Sequence, residues 1–209
     1  MSTARDDGRV ARAARQRQDR REQVLVCAER VFSRRGYHAA GVADIIAEAG
    51  VARGTFYLYF ESKRAIFDEL LGRLLARLAG AVKRIDVTPG APPPFEQLLA
   101  NVNRVVDTLY DHREMTVVLL RAAPGIDADF DRKLEESYGR LRAIIESALS
   151  TGEAMGLVRP CDHEIASLCV LGTVKEVMNH YAVRERGRNV DRRRLARELL
   201  EYNLKGLFR

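Results

Sequence analysis

Arg53, Thr55, Tyr57 and Lys63 fall close together in the stretch GVADIIAEAGVARGTFYLYFESK, which runs from Gly41 to Lys63. Guanidinium and ammonium groups neutralise phosphates, while hydroxyl and guanidinium groups read base edges, so this set suits a nucleic acid better than a reaction centre. To act together these side chains need a helix that presents them on one side. Ile45 and Ile46 mark the inner side of a first short helix. Gly50, after Glu48 and Ala49, stands where a helix end calls for a left-handed residue. Val51 opens the turn into a second short helix, from Arg53 to about Tyr59, whose outer face offers Arg53, Gly54, Thr55, Tyr57 and Leu58. A short helix exposing small, hydroxyl-bearing and basic residues, braced behind by another helix, suits the DNA major groove. An ordinary helical hairpin shares the apolar spacing and the glycine stop. It does not account for Gly54 and Thr55 in a first turn, or for two outward tyrosines.

These residues resemble the DNA-binding signature of the TetR family of bacterial transcriptional regulators, closely from about Gln18 to Leu70. Gly50, Gly54, Thr55, Tyr57, Tyr59-Phe60 and Lys63 all stand in the family's register, and beyond Leu70 only helix lengths and order are similar. The resemblance implies that Lys63 clamps a phosphate at the start of a fourth helix and that Tyr57 contacts the backbone. It also implies that Arg53 and Thr55 reach base edges or nearby phosphates. With Gly54, Leu58 and Tyr59 these residues form the expected DNA-binding set. Two positions depart from the pattern: Gly41 stands where Thr is usual and Ala52 where Ser is usual. Each departure removes a side-chain oxygen that would satisfy N–H groups at a helix start.

The charge distribution agrees. Residues 1–63 carry 12 Lys and Arg against 8 Asp and Glu, residues 64–183 carry 14 against 17, and residues 184–209 carry 9 against 4. A basic end joined to a mildly acidic body fits phosphate binding at that end, while Arg184 to Arg194 read as solvated surface. At 209 residues the chain can bury a substantial core. No apolar run approaches a membrane span, and no signal peptide precedes the first helix. Cys27, Cys161 and Cys169 are an odd, scattered set that suits a reducing cytoplasm rather than a disulfide framework.

The remaining pattern is helical throughout. Residues 1–17, rich in Arg and Ala, are expected to form a mobile basic arm, either one able to lie along phosphates or enter a minor groove or an inert disordered leader. Asp19 and Glu22 predict the start of the first helix, and Val24, Cys27, Ala28, Val31 and Phe32 repeat at helical spacing up to Gly36. That stripe makes Cys27 a core residue. Ser62 caps a helix carrying Ile66, Phe67, Leu70, Leu71, Leu74, Leu75 and Leu78. TPGAPPP, from Thr88 to Pro94, breaks the pattern. Further helices are expected at about Phe95–Tyr110, Glu114–Ala123 with a stop at Pro124-Gly125, Asp127–Ala154, Asp162–Arg184 and Asp191–Phe208.

The sequence therefore predicts an all-α protein of about nine helices in two domains. Residues 18–63 form a three-helix helix-turn-helix domain, and residues 64–209 form a helical effector-binding and dimerisation domain. The helix from Asp162 is apolar on more than one side and so must be buried on more than one side. The resemblance implies that it and the last helix pack against their copies as a four-helix bundle, with Leu171, Gly172, Met178, Leu199, Leu200 and Leu204 at the contact. An effector cavity is expected among Phe67, Leu71, Leu74, Val102, Val105, Leu109, Leu119, Tyr138, Leu141 and Leu168, though ordinary core packing would use the same residues. Arg104, His112, Arg121, Tyr138, Asn179 and His180 are the polar candidates for specificity. His38, His112, His163 and His180 are scattered and no nucleophile has a triad neighbourhood, so catalysis is not expected. Cys161, Asp162 and His163 with Cys169 lack the second close ligand pair of a structural zinc site; Asp162 reads as a helix cap with His163 exposed, and no metal or cofactor is expected. The expectation is a homodimeric cytoplasmic repressor on a palindromic operator, released by a small, mostly apolar effector. The alternative is a DNA-binding protein whose second domain docks a protein partner and has no small-molecule pocket.

Overall fold

The computed structural model describes residues 3–121, 128–184 and 190–205. Among them are nine α-helices, one π-helical turn and no strand, so the fold is all-α as the periodicity predicts. The helices fall into two compact units, Met1–Leu71 and Gly72–Arg209. The Pro124-Gly125 stop and the end of the last helix at Phe208 lie outside the described residues.

The first unit holds α1 (Thr3–Arg35), α2 (Val42–Ala49), α3 (Arg53–Tyr57) and the start of α4 (Lys63–Ala81). Val24, Leu25, Cys27, Ala28, Val31 and Phe32 are all buried along α1, and α2 packs on them through Ile45 and Ala49. Two expectations are corrected here. First, α1 does not begin at Asp19; it is continuous from Thr3, so the segment read as an arm is helical. Residues 11–18 are Ala, Arg and Gln, all good helix formers, and extending an existing helix needs no new nucleus. Second, the first unit ends at Leu71 rather than Lys63. The start of α4 supplies part of its core: Phe67 packs on Tyr37 with ring centroids 4.8 Å apart, and Glu69 takes both arms of the Arg21 guanidinium at 2.7 and 2.5 Å.

The second unit holds the rest of α4 with α5 (Pro94–Asp111), α6 (Arg113–Arg121), α7 (Ala128–Ala154), α8 (His163–Met178) and α9 (Arg192–Lys205). Within it α5 packs on α9 and α7 on α8. The non-helical segment after α4 is tied to α5 by side-chain amides. Asn101 donates to the Lys83 carbonyl at 2.8 Å and accepts from the Lys83 N–H at 2.9 Å, and Gln97 does the same for Asp86 at 2.7 and 2.8 Å. The helix expected to reach Arg184 stays α-helical only to Met178 and widens into a π-helical turn over Asn179–Arg184. The wider turn packs against α6: Ala182 and Val183 are buried, and the Arg113 guanidinium donates to the Ala182 carbonyl at 2.9 Å.

Candidate nucleic-acid interface

The helix-turn-helix is assembled from the inside outward. Gly50 ends α2 at φ +61°, the left-handed conformation its position predicts, and hands its N–H to Ala47 while Val51 bonds back to Ile46. Gly41 supplies no side-chain oxygen to the start of α2, but the reciprocal bond forms: the Asp44 carboxylate accepts from the Gly41 N–H at 2.8 Å. That bond, with help from Arg35, holds the Asp44 carboxyl below its ordinary range. Ala52 gives α3 no side-chain cap. What fixes α3 is Phe56, fully buried and 6.2 Å from the equally enclosed Phe60. With Phe56 inward, the opposite side of α3 must face out.

Arg53, Gly54, Tyr57 and Leu58 are exposed, Tyr57 by 46% and Leu58 by 69%, and Thr55 is half-buried beside them. The Arg53 guanidinium sits 5.9 Å from the Tyr57 ring, which holds both side chains over the same face. A Cβ built on Gly54 meets nothing within 4 Å, and its φ is not positive, so neither packing nor backbone conformation within this chain demands glycine there. The expected pair of outward tyrosines is reduced to one, since Tyr59 is half-buried next to Phe60.

Lys63 has a different position from the one its place in the motif implies. Its ammonium donates to the carbonyls of Tyr37, Ala40 and His38 at 2.8, 2.9 and 3.4 Å, and lies 4.5 Å from the Tyr37 ring. An ammonium has three protons, and three carbonyls take them. Lys63 thus fastens the α1–α2 turn and has no donor left over for a phosphate in this arrangement. Other cations on this unit are likewise engaged: Arg34 pairs with Glu48 at 2.6 Å and Arg35 with Asp44. The α2 C-terminus also gains a partner that sequence reasoning missed, Gln23, whose amide donates to the Ala49 carbonyl at 2.9 Å. Cys27 lies below it against the Glu48 carbonyl, and burial pushes its thiol above the ordinary value.

A groove of about 730 Å³ lies beside α3, walled by Ala13, Gln16, Arg17, Asp19, Arg20 and Gln23 of α1 and by Thr55, Leu58 and Tyr59. The α1 wall was not foreseen, because residues 1–17 read as an arm; the signal was there in the spacing of Ala13, Gln16, Arg17 and Arg20, which share one face of a helix.

The residues expected around a cavity are divided between the two units. Phe67 and Leu71 are buried within the first unit, and Leu168 is 48% exposed on α8. Leu74, Leu109 and Leu119 are buried, while Val102, Val105, Tyr138 and Leu141 are half-buried. Tyr138 joins three helices: its hydroxyl reaches the Leu119 carbonyl at 3.3 Å, the Lys175 ammonium lies 4.8 Å from its ring, and burial raises its phenol to about 12. Of the polar candidates, Arg104 is spent on the Ala81 carbonyl at 2.8 Å and on Asn101. The expected contact set is also divided. Met178, Leu199 and Leu200 are buried within the chain, Leu171 and Leu204 are half-buried, and Gly172 is exposed. Large apolar side chains that face out among the described residues of these two helices include Ile165 and Leu168 on α8 and Tyr202 on α9. Asp162 caps α8 by accepting from the Ile165 N–H at 3.0 Å, as expected, whereas His163 is not exposed but paired with Glu153 at 2.7 Å. No cluster of three metal-binding side chains occurs among the described residues, and no helix among them is long and apolar enough to cross a membrane.

Residues 24–70 match the family model for bacterial regulatory proteins of the tetR family, and residues 91–207 match that for the tetracyclin repressor-like C-terminal domain. The chain is 26% identical over 102 residues to the uncharacterized HTH-type transcriptional regulator YerO of Bacillus subtilis (strain 168), covering 49% of this chain but only 35% of that protein. It is 23% identical over 198 residues to the fatty acid metabolism regulator protein of the same organism, covering 92% of this chain and 98% of that one. The solved structure of the fatty acid degradation regulator FadR from Bacillus halodurans superposes with a TM-score of 0.73 at 25% identity, covering 91% and 97% of the two chains.

Proposed function

Because the chain belongs to the TetR family and is a DNA-binding transcriptional regulator rather than an enzyme, we propose that it is a repressor that binds a palindromic operator as a homodimer. A small, mostly apolar effector releases it. The observation that carries the DNA part is the outward face of α3, where Arg53, Gly54, Thr55, Tyr57 and Leu58 lie over a buried Phe56. Arg53 suits a guanine edge or a phosphate, Thr55 and Tyr57 offer hydroxyls, and Leu58 suits a thymine methyl. A single such helix binds weakly, and two must sit about 34–36 Å apart to enter successive major grooves, so a second copy is required.

The second copy would cover Ile165, Leu168 and Tyr202. Gly172, exposed on α8 with nothing within 4 Å of an added Cβ, leaves room for a partner helix to approach. For the effector we propose a fatty acid or a derivative of one. The names of two relatives, both regulators of fatty acid metabolism or degradation, support that class. The apolar side chains of Leu74, Val102, Val105, Leu109, Leu119, Tyr138 and Leu141 supply suitable chemistry in the second unit.

The test is selection of duplexes from a randomised pool by the purified protein, followed by titration with fatty acids and their coenzyme A thioesters. An enriched inverted repeat, released by a compound that also raises the melting temperature of the free protein, is the expected result. Release with no thermal shift, or no enriched sequence at all, would refute it. A second unit that binds no such compound but captures a protein would favour the partner-docking alternative.

A further inference from the structure

The groove beside α3 is walled by two helices. One wall is α3 and the turn after it, through Thr55, Leu58 and Tyr59; the other is α1, through Gln16, Arg17, Arg20 and Gln23, with Asp19 the one carboxylate among its lining residues. Arg17 and Arg20 are exposed, and Arg20 is steadied by Gln23, whose side-chain oxygen accepts from its guanidinium at 3.1 Å. From Ala13 to Gln23 the α1 wall runs about 15 Å, at 1.5 Å per residue. Successive phosphates along a strand lie farther apart than their axial rise of about 3.4 Å, so that length meets a short run of them, enough to engage both arginines. A helix that enters a major groove is bordered by the phosphodiester strand at the groove's edge, and a cationic cleft adjoining α3 opens where such a strand would run.

We propose that this groove seats one phosphodiester strand of the duplex bordering the major groove, with Arg17 and Arg20 neutralising its phosphates. The helical extension of α1 then becomes part of the DNA interface, widening each half-site outward by contacts blind to sequence. Asp19 opposes the strand and limits its affinity. The inference rests on α3 being the DNA-reading helix. It adds a second, separable surface to it.

The probes are a duplex enriched from a randomised pool by the wild-type protein and a scrambled duplex of equal length. The Arg17→Ala/Arg20→Ala double variant should flatten the dependence of log binding constant on log salt by about 1.8 per protomer bound, on both probes alike. Arg17→Lys/Arg20→Lys should keep most of the slope, since phosphates are met as charge. Asp19→Asn should bind both probes more tightly. Arg12→Ala/Arg15→Ala, which removes an equal charge from residues outside the groove lining, should leave the slope unchanged. Hydroxyl-radical footprints of the double variant should lose protection only at the outer edge of each half-site. An unchanged slope in the double variant, while Arg53→Ala still weakens the enriched duplex, overturns the groove and leaves the α3 reading standing. Equal flattening by Arg12→Ala/Arg15→Ala also overturns it, because the effect would then belong to net charge. A wild type that enriches no duplex sinks the α3 reading and the groove with it.

Discussion

Lys63 shows how one side chain can carry a motif's register and yet act locally. Its three carbonyl partners, on Tyr37, His38 and Ala40, all belong to the connection between α1 and α2. Removing the ammonium leaves those carbonyls to find water, so Lys63→Ala should destabilise the first unit by roughly 1.5–3 kcal/mol, the range for hydrogen bonds to charged groups. Urea denaturation checks this; a variant as stable as wild type but with weakened, salt-flattened DNA binding would return Lys63 to a phosphate. Arg53 belongs to the opposite case, exposed and facing out. If it meets guanine in bidentate fashion, Arg53→Ala should cost about 1–3 kcal/mol on the enriched duplex and little on scrambled DNA. Equal losses on both would assign it to a phosphate. Gly54→Ala offers a third contrast, because the helix has room for a methyl. Folding should be unharmed or slightly improved, by up to about 1 kcal/mol of propensity, while binding to the enriched duplex falls as the added Cβ holds the DNA backbone away.

At the scale of elements, the α5–α6 junction carries a built-in response to pH. His112 caps the end of α5, and its N–H returns to Thr108 at 3.1 Å. Burial, aided by Arg77, lowers its imidazole below the ordinary value of 6.5, against the smaller opposing influence of Asp111 and Glu114. The folded state therefore prefers neutral His112. Its contribution to stability is full above about 6.5 and is lost as pH falls through the lower folded value. Urea midpoints measured from about pH 7 down to about pH 5 should fall less steeply in His112→Gln than in wild type. Identical pH profiles would show that His112 titrates normally. The π-helical turn nearby has a similarly local cause, since it is where α8 turns Ala182 and Val183 inward against α6 and offers the Ala182 carbonyl to Arg113.

For the whole molecule, the proposed dimer makes a discriminating prediction. Leu168 is half-exposed on α8, whereas Leu200 is buried within the chain on α9. Leu168→Glu should therefore give a folded monomer with nearly unchanged melting temperature, because the charge stays solvated until a partner arrives. Leu200→Glu should unfold or aggregate, because its charge is buried without a partner. Sedimentation combined with circular dichroism separates the two, and a Leu168→Glu protein that remains dimeric would remove this face from the contact. Effector action is expected to pass along α4, the continuous helix from Lys63 to Ala81 that crosses the division between the units at Leu71 and Gly72. Reciprocity fixes its sign: a ligand that releases DNA must bind the DNA-bound dimer less tightly.

What could be read without coordinates was local. Apolar spacing located the helices, Gly50 located the stop between α2 and α3, and the set from Arg53 to Leu58 followed from the residue types of that short helix, whose inward anchor the structure shows to be Phe56. These features depend on residues within a turn or two of one another, so their chemistry is written in the order of the chain. The unread features each depended on a partner distant in sequence. Whether Lys63 meets a phosphate or three carbonyls depends on where the chain between Tyr37 and Ala40 is brought. Periodicity says that α8 has apolar residues on several sides, but not that α7 covers Ser167 and leaves Leu168 to solvent. Arg17 and Arg20 became a groove wall only because α1 continues as helix beside α3. An apolar or charged pattern declares that a face needs a neighbour; only the packed chain decides which neighbour it gets.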